Sequence, residues 1–471
     1  MTRRALAAAA VLFGLGLRVH MLRSGWGVLD SDEAIMGLMA RAAQRGDFSA
    51  FLWGQQYGGA AEAYVIAFVF LFTGATTAGI RIATLALAAT AAVLTWRVGK
   101  RLLGPHAGAA AGLAVWLWPT AGVFLSFRNR GFYWITIVAG LVFVLASLRL
   151  AERPNRRDAV VAGLAAGLGW WSTPQIVTFV VPVAVWVLLR ARHLLRPLAL
   201  FGLPAAVVGA APWVFVNLRD GLVSLTPPPL PPGAAGTYAS RLDVFVDRGL
   251  PMALGLRIPW SEQWVPHGEW LYVVVLVALI GGLAWRRAPL VVWVGLLVFP
   301  FVHPLSPLSN YVGEGRYFVY YVPFLTLALA AAVRHRIALA LLVVVLAGST
   351  VYAVDKIKPV QDDYAPLIED LDRRGIRAAY ADYWIGYRLM FESEERIVVG
   401  IMSPDASRNL AFDQRVDAAA RHAYVTLTDS LLTHLARTDF TRFGVAWEEY
   451  DIAQFTVLIP ERPVRAADLA Y

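Results

Sequence analysis

The chain has 471 residues, of which 58% are hydrophobic and only 16% charged, with a mean hydropathy of +0.56. That balance excludes a soluble enzyme and requires a lipid-embedded fold. Cysteine is absent, which removes disulfides, thiolate nucleophiles and cysteine metal sites; the net charge of +9 is read by location, as orientation in a bilayer and not as a nucleic-acid footprint.

Taken in chain order, apolar runs of roughly 16 to 20 residues, long enough to cross with little or no tilt, lie at 5–22, 80–96, 107–125, 132–148, 159–174, 175–190, 197–215, 269–285, 288–303, 317–333 and 337–353. They predict a polytopic α-helical membrane protein with about eleven transmembrane helices. The first run contains Arg18 and lacks a cleavage site followed by a soluble domain, so it is read as a retained helix and not a signal peptide. Basic clusters at Arg3 and Arg4, 97–101, 149–157, 190–196, 285–287 and 334–336 fall in alternate loops. The positive-inside trend puts those loops in the cytoplasm. The outer set is then a first loop at about 24–79, the turns SFRNRGFYW and WWSTPQ, a Pro-rich loop at 217–268 containing TPPPLPP, the segment HPLSPLSNYVGEGR, and everything after Val354. The apolar stretch 62–74 is short for a span and is expected as a helix lying at the outer interface.

Beyond 354 the composition changes. Charges become dense, and the segments GIRAAYAD, RIVVGI, HAYVTL and FTVLIP read as strands between helical patterns. The expected organisation is a membrane domain at 1–354 and a soluble extracytoplasmic mixed α/β domain at 355–471. Arginine far outnumbers lysine and alanine is abundant, which suits a GC-rich bacterium and hence a bacterial cytoplasmic membrane.

The first outer loop opens with VLDSDEAIMGLMARAAQRGD, which places Asp30, Asp32 and Glu33 just after the first apolar run. Asp30 and Glu33 have the spacing of a capping box, and acids in a first turn suit the helix dipole. A carboxylate at this surface can also meet an aqueous acceptor and a lipid-borne donor, so structure and function both remain open for these residues.

The run LDSDEAIMGLMARAAQRGDFSAFLWGQQYGG resembles the first outer loop of the GT-C superfamily of membrane glycosyltransferases, in particular bacterial relatives of the protein O-mannosyltransferases and of the lipid A aminoarabinose transferase. GIRIATLALAATAAVLTWRVGKRLLG (79–104), GLAAGLGWWSTPQ (163–175) and EGRYFVYYVPFLTLALA (314–330) are similar to further blocks of that family. The resemblance implies a GT-C fold, with Asp32 of the Asp-Glu pair as catalytic base, Asp30 as its main rival, and Glu33 beside them. It implies transfer of sugar from a polyprenyl-phosphate donor to an acceptor hydroxyl or amine at the extracytoplasmic surface, and inversion is expected because Asp32 acting as base gives a single displacement, whereas retention would need a nucleophilic carboxylate.

Such a transfer needs a base for the acceptor proton and positive charge where the departing phosphate gathers negative charge. Arg81, Arg128, Arg130 and Arg316 are the candidates for the phosphate. Gln55, Tyr57, Tyr133 and Tyr317 are candidate substrate-binding residues; the alternative for the aromatics is an interfacial anchor, and for Arg130 a snorkel to headgroups. Glu314 is a candidate partner for Arg316. No His and carboxylate set has metal spacing, so no cofactor is required, with a divalent ion near Asp30 and Asp32 left open. The expected partners are the donor lipid, the bilayer and a glycan, glycolipid or protein acceptor, with no nucleic acid. A transporter or lipid flippase is the alternative from another class, disfavoured because carboxylates are scarce within the helices. An inactive polyprenyl-lipid scaffold is a third reading.

Overall fold

The computed structural model describes residues 3–226, 236–310, 313, 315–333, 335–356 and 363–469; most of the TPPPLPP run, and Glu314, lie outside them. Five helices are long and apolar enough to cross a bilayer: Ala5–Arg23, Thr77–Leu103, Tyr133–Glu152, Gly268–Trp285 and Arg316–Val333. The pair Pro174–Arg190 and Arg192–Gly209, bent by 114°, makes a sixth if it counts as one span. Among the described residues, five or six spans therefore meet the length and apolarity requirement, against about eleven expected.

Proline accounts for much of the difference, because it removes a helical N–H and its ring clashes with the preceding turn. The run at 107–125 is split around Pro119 into Pro105–Trp116 and Thr120–Leu125. Pro182 and Pro300 sit inside Val177–Arg190 and Leu290–Val302, and a π-helical turn at Leu198–Gly202 follows Pro197. Leu290–Leu305 and Val343–Val354 are apolar but short. Small residues draw helices close elsewhere: Gly163 and Gly167 lie against the backbone at Gly202 and Ala206, where a Cβ would collide with carbonyl oxygens.

The first helix, α1 (Arg3–Arg23), is followed by α2 (Ser31–Gln44), a hairpin of β1 (Phe51–Leu52) and β2 (Gln55–Gly59), α3 (Ala61–Thr73) and α4 (Thr77–Leu103). The helix expected at 62–74 thus forms, over Ala61–Thr73. Almost every residue of α2 is buried. Its Gly37 faces Ile80 of α4 on one side and Phe391 of the C-terminal region on the other, so α2 is a shared wall between the two parts of the molecule.

The C-terminal region is a five-stranded sheet of β3 (Ala378–Ala381), β4 (Val398–Ile401), β5 (Ala423–Leu427), β6 (Trp447–Ile452) and β7 (Phe455–Pro460), ordered β4-β3-β5-β7-β6. β3 pairs in parallel with β4 and with β5; β7 pairs antiparallel with β5 and β6. The chain leaves β3 for β4 on one flank, then returns past β3 to β5 on the other. In open sheets of this kind ligands meet the carboxyl ends of the strands where the crossovers diverge. Tyr383 begins the helix Tyr383–Glu392 directly after β3, at that end.

Candidate active site

The first turn of α2 sends its three acids in three directions, as a rotation of about 100° per residue requires. Asp30 is the N-cap. Its Oδ1 accepts the Glu33 amide at 3.0 Å, while Arg128 reaches Oδ2 at 2.5 Å and Arg130 reaches Oδ1 at 2.8 Å. Burial alone would push this carboxyl up, but the charges of Arg130 and Arg128, with the Arg130 and Glu33 hydrogen bonds, hold it well below the usual carboxylate range. A carboxylate so saturated is a poor proton acceptor.

Glu33 is fully buried and lies 3.4 Å from both Arg81 and Arg128. It completes only half of the expected capping box: its amide donates to Asp30, but its side chain turns to these arginines. Arg81 also donates to the Gly27 carbonyl at 2.6 Å, and Arg128 to the carbonyls of Trp26 and Val28. Asp30, Glu33, Arg81 and Arg128 are therefore gathered behind the site and do not line its cavity.

Asp32 faces the other way. It lines a cavity of about 360 Å³. Its Oδ2 accepts from Arg316 at 3.1 Å and its Oδ1 from the Tyr383 hydroxyl at 2.5 Å. Arg130, Arg316, Tyr317, Tyr133, Gln55 and Tyr57 all line the same space, so the structure brings together seven of the eleven candidates named from sequence. The turn carrying Arg130 is fixed by Asn129, whose amide donates to Glu62 at 2.8 Å and to Thr84 at 2.9 Å and whose Oδ1 accepts from Gly131 at 2.9 Å.

The C-terminal region supplies Tyr383, Trp384 and Arg408 to the cavity; sequence reasoning missed all three. With the Gln55 amide turned to suit its neighbours, its oxygen accepts from both terminal nitrogens of Arg408 at 2.9 and 3.1 Å and from Tyr57 at 3.2 Å. Gly54 makes this approach possible. Its φ of +65° forms the hairpin turn, and a Cβ there would meet the Arg408 backbone at 3.0 Å. Burial, then the neighbouring Tyr317, pushes the Tyr57 hydroxyl up to about 12; burial and the Asp32 charge likewise push Tyr383 up, so it remains a donor to Asp32. No local motif marks these residues. The signal that could have found Tyr383 is its place after a strand that heads a crossover.

The model of the dolichyl-phosphate-mannose-protein mannosyltransferase family matches residues 60–215. No curated protein sequence matches the chain. The crystal structure of apo ArnT from Cupriavidus metallidurans superposes with a TM-score of 0.71 over 98% of this chain and 98% of that one, at 13% identity. The fold is that of the GT-C membrane glycosyltransferases. ArnT bound to undecaprenyl phosphate aligns over the same shares with a TM-score of 0.54 at 14% identity. An oligosaccharyltransferase from Archaeoglobus fulgidus gives 0.50 over 89% of this chain and 67% of its own, also at 14% identity. At such identities the likeness concerns the GT-C fold, including its C-terminal sheet region; what the cavity does rests on its own residues.

Proposed function

We propose that the chain is an inverting glycosyltransferase that moves a sugar from a polyprenyl-phosphate donor to an acceptor at the extracytoplasmic membrane surface. The observation that carries this reading is the Asp32–Arg316 pair on the cavity wall, 3.1 Å apart, with Arg130 lining the same space. The mannosyltransferase-family match over 60–215 and a fold neighbour that binds undecaprenyl phosphate support the choice of donor.

In the proposed step the acceptor oxygen attacks the anomeric carbon while Asp32 takes its proton. The bond from the anomeric carbon to the phosphate oxygen breaks, and its electron pair leaves with the lipid phosphate. Arg316, and Arg130 where its pairing with Asp30 allows, face the charge that gathers there. A single displacement from one face inverts the anomeric centre. The arginines supply the positive charge, so the reaction as written draws on no metal or cofactor. Arg81, Arg128, Asp30 and Glu33 act behind this site, holding the first turn of α2 and the 128–131 turn in register.

The test is release of free undecaprenyl phosphate from a panel of undecaprenyl-phosphate sugars, with a crude membrane extract as acceptor source, comparing wild type with Asp32→Asn. Release by wild type alone supports the reading. Equal release by both removes Asp32 as base, and no release by either while the donors bind makes the protein a lipid-binding scaffold or transporter.

A further inference from the structure

On the cavity wall, two polar atoms have no hydrogen-bond partner among the described residues. Tyr320 is 2% exposed and its ring stacks on Tyr133 at 5.3 Å between centroids, yet its hydroxyl has no hydrogen-bond partner among the described residues. Gln175 Oε1, in the turn Pro174–Ile176, is buried and unpartnered in the same sense. Both residues line the cavity that contains Asp32. Buried polar atoms are nearly always paired because desolvating them without compensation is unfavourable. Nine more such atoms lie elsewhere among the described residues; these two are the ones on the cavity wall, where a polar ligand can satisfy them.

Resting on the transferase reading above, we propose that Tyr320 and Gln175 form the subsite for the transferred sugar, and that this sugar is an uncharged polyhydroxylated ring. A tyrosine hydroxyl both donates and accepts, and an amide oxygen accepts only, so Gln175 Oε1 needs a donor such as a sugar hydroxyl. The rings of Phe132, Tyr133 and Tyr320, stacked on one another at 5.1 and 5.3 Å, give the cavity a rigid apolar border beside these polar groups. Charge sets the class. Among the described residues lining the cavity, Arg130, Arg316 and Arg408 outnumber the carboxylate Asp32, which is itself held by Arg316 and Tyr383. With the donor phosphate offsetting that charge, the ammonium of an amino sugar would still find, among the described residues, no cavity carboxylate other than the Asp32 already held. A sugar carboxylate would have to compete for these arginines with the donor phosphate itself, as well as with Asp30 for Arg130, with Asp32 for Arg316 and with Gln55 for Arg408.

The experiment uses the purified full chain and two variants that delete one polar function each, Tyr320→Phe and Gln175→Leu. Three quantities are measured: thermal stability, binding of undecaprenyl phosphate alone, and kcat/KM on undecaprenyl-phosphate donors bearing a neutral hexose, a 4-amino sugar or a uronic acid. The expected result is a loss of about tenfold in kcat/KM on the neutral-hexose donor for each variant, with undecaprenyl phosphate binding within about twofold of wild type and no fall in melting temperature. A lower melting temperature would make the groups structural, and an equal loss of undecaprenyl phosphate binding would assign them to the phosphate. Unchanged kcat/KM, or a wild-type preference for the amino sugar or uronic acid, overturns the subsite. If wild type binds undecaprenyl phosphate but turns over no donor, the transferase reading itself fails and takes the subsite with it.

Discussion

The back and the front of the α2 first turn use the same residue types to opposite ends. Behind it, Glu33 pairs with Arg81 and Arg128, with Glu33 and Arg128 at 0% and 5% side-chain exposure, while Asp30 ties Arg128 to the cavity-lining Arg130. In front, Asp32 and Arg316 keep 20% and 28% of their side-chain surface and share a cavity with unsatisfied polar groups. Carboxylates and guanidiniums do not declare their role by type. Full burial among arginines, as for Glu33, makes a brace; a pairing on a cavity wall, as for Asp32, leaves a group able to meet substrate.

Substitutions can break this contrast. The largest effect is expected from Asp32→Asn, which should lower turnover on the order of a thousandfold as a lost general base while leaving the melting temperature near that of wild type. An active variant, or an inactive one that is also unfolded, would erase the distinction. Glu33→Ala should do the reverse: it leaves Arg81 and Arg128 buried beside a missing partner, and a destabilisation of about 3–5 kcal/mol is expected in thermal or denaturant unfolding. A cost under about 1 kcal/mol would mean that the rear cluster is not a brace.

Tyr383→Phe sharpens the comparison by testing whether the front of the site includes the C-terminal region. It removes the hydroxyl that meets Asp32 and keeps the ring that packs on Trp384 and Tyr387. A fall in kcat of about tenfold with donor KM unchanged is expected, the scale of a hydrogen bond to a charged group; an unchanged kcat would reduce the C-terminal region to a cover.

The smallest effect concerns pH. The Asp30 carboxyl is depressed in the folded protein, so its contribution to stability is present above the unfolded carboxylate value of about 3.9 and is lost as pH falls through its folded value. Asp30→Asn should therefore be less stable at neutral pH and lose less on acidification than wild type. Melting curves across that range decide it, and parallel curves would show that the Asp30 pairing with Arg128 and Arg130 adds nothing.

Local patterns made much of this legible. Asp30 at the N-cap position, the apolar periodicity of α2, the short helix at Ala61–Thr73 and four C-terminal strands all stand close to where residue spacing places them. β6 escaped because an edge strand written WEEYDI, with exposed glutamates, carries no buried run. The helices broken at Pro119, Pro182 and Pro300 escaped because composition over a window does not register a kink. Choosing among the arginines depended on partners about 50 to 280 residues away: Arg81 and Arg128 went to Glu33, and Arg316 to Asp32.

By itself, then, the sequence determined a membrane-type helical chain, an acid-rich helix start after the first apolar run and a sheet-bearing C-terminal region, since hydropathy, capping and strand alternation act over a few neighbouring residues. The tertiary structure decided which acid faces the cavity, that Tyr383 and Arg408 reach it from the far end of the chain, and that Tyr320 and Gln175 find no partner on its wall among the described residues. Those outcomes depend on burial and on contacts across hundreds of residues, and neither is written in any local stretch.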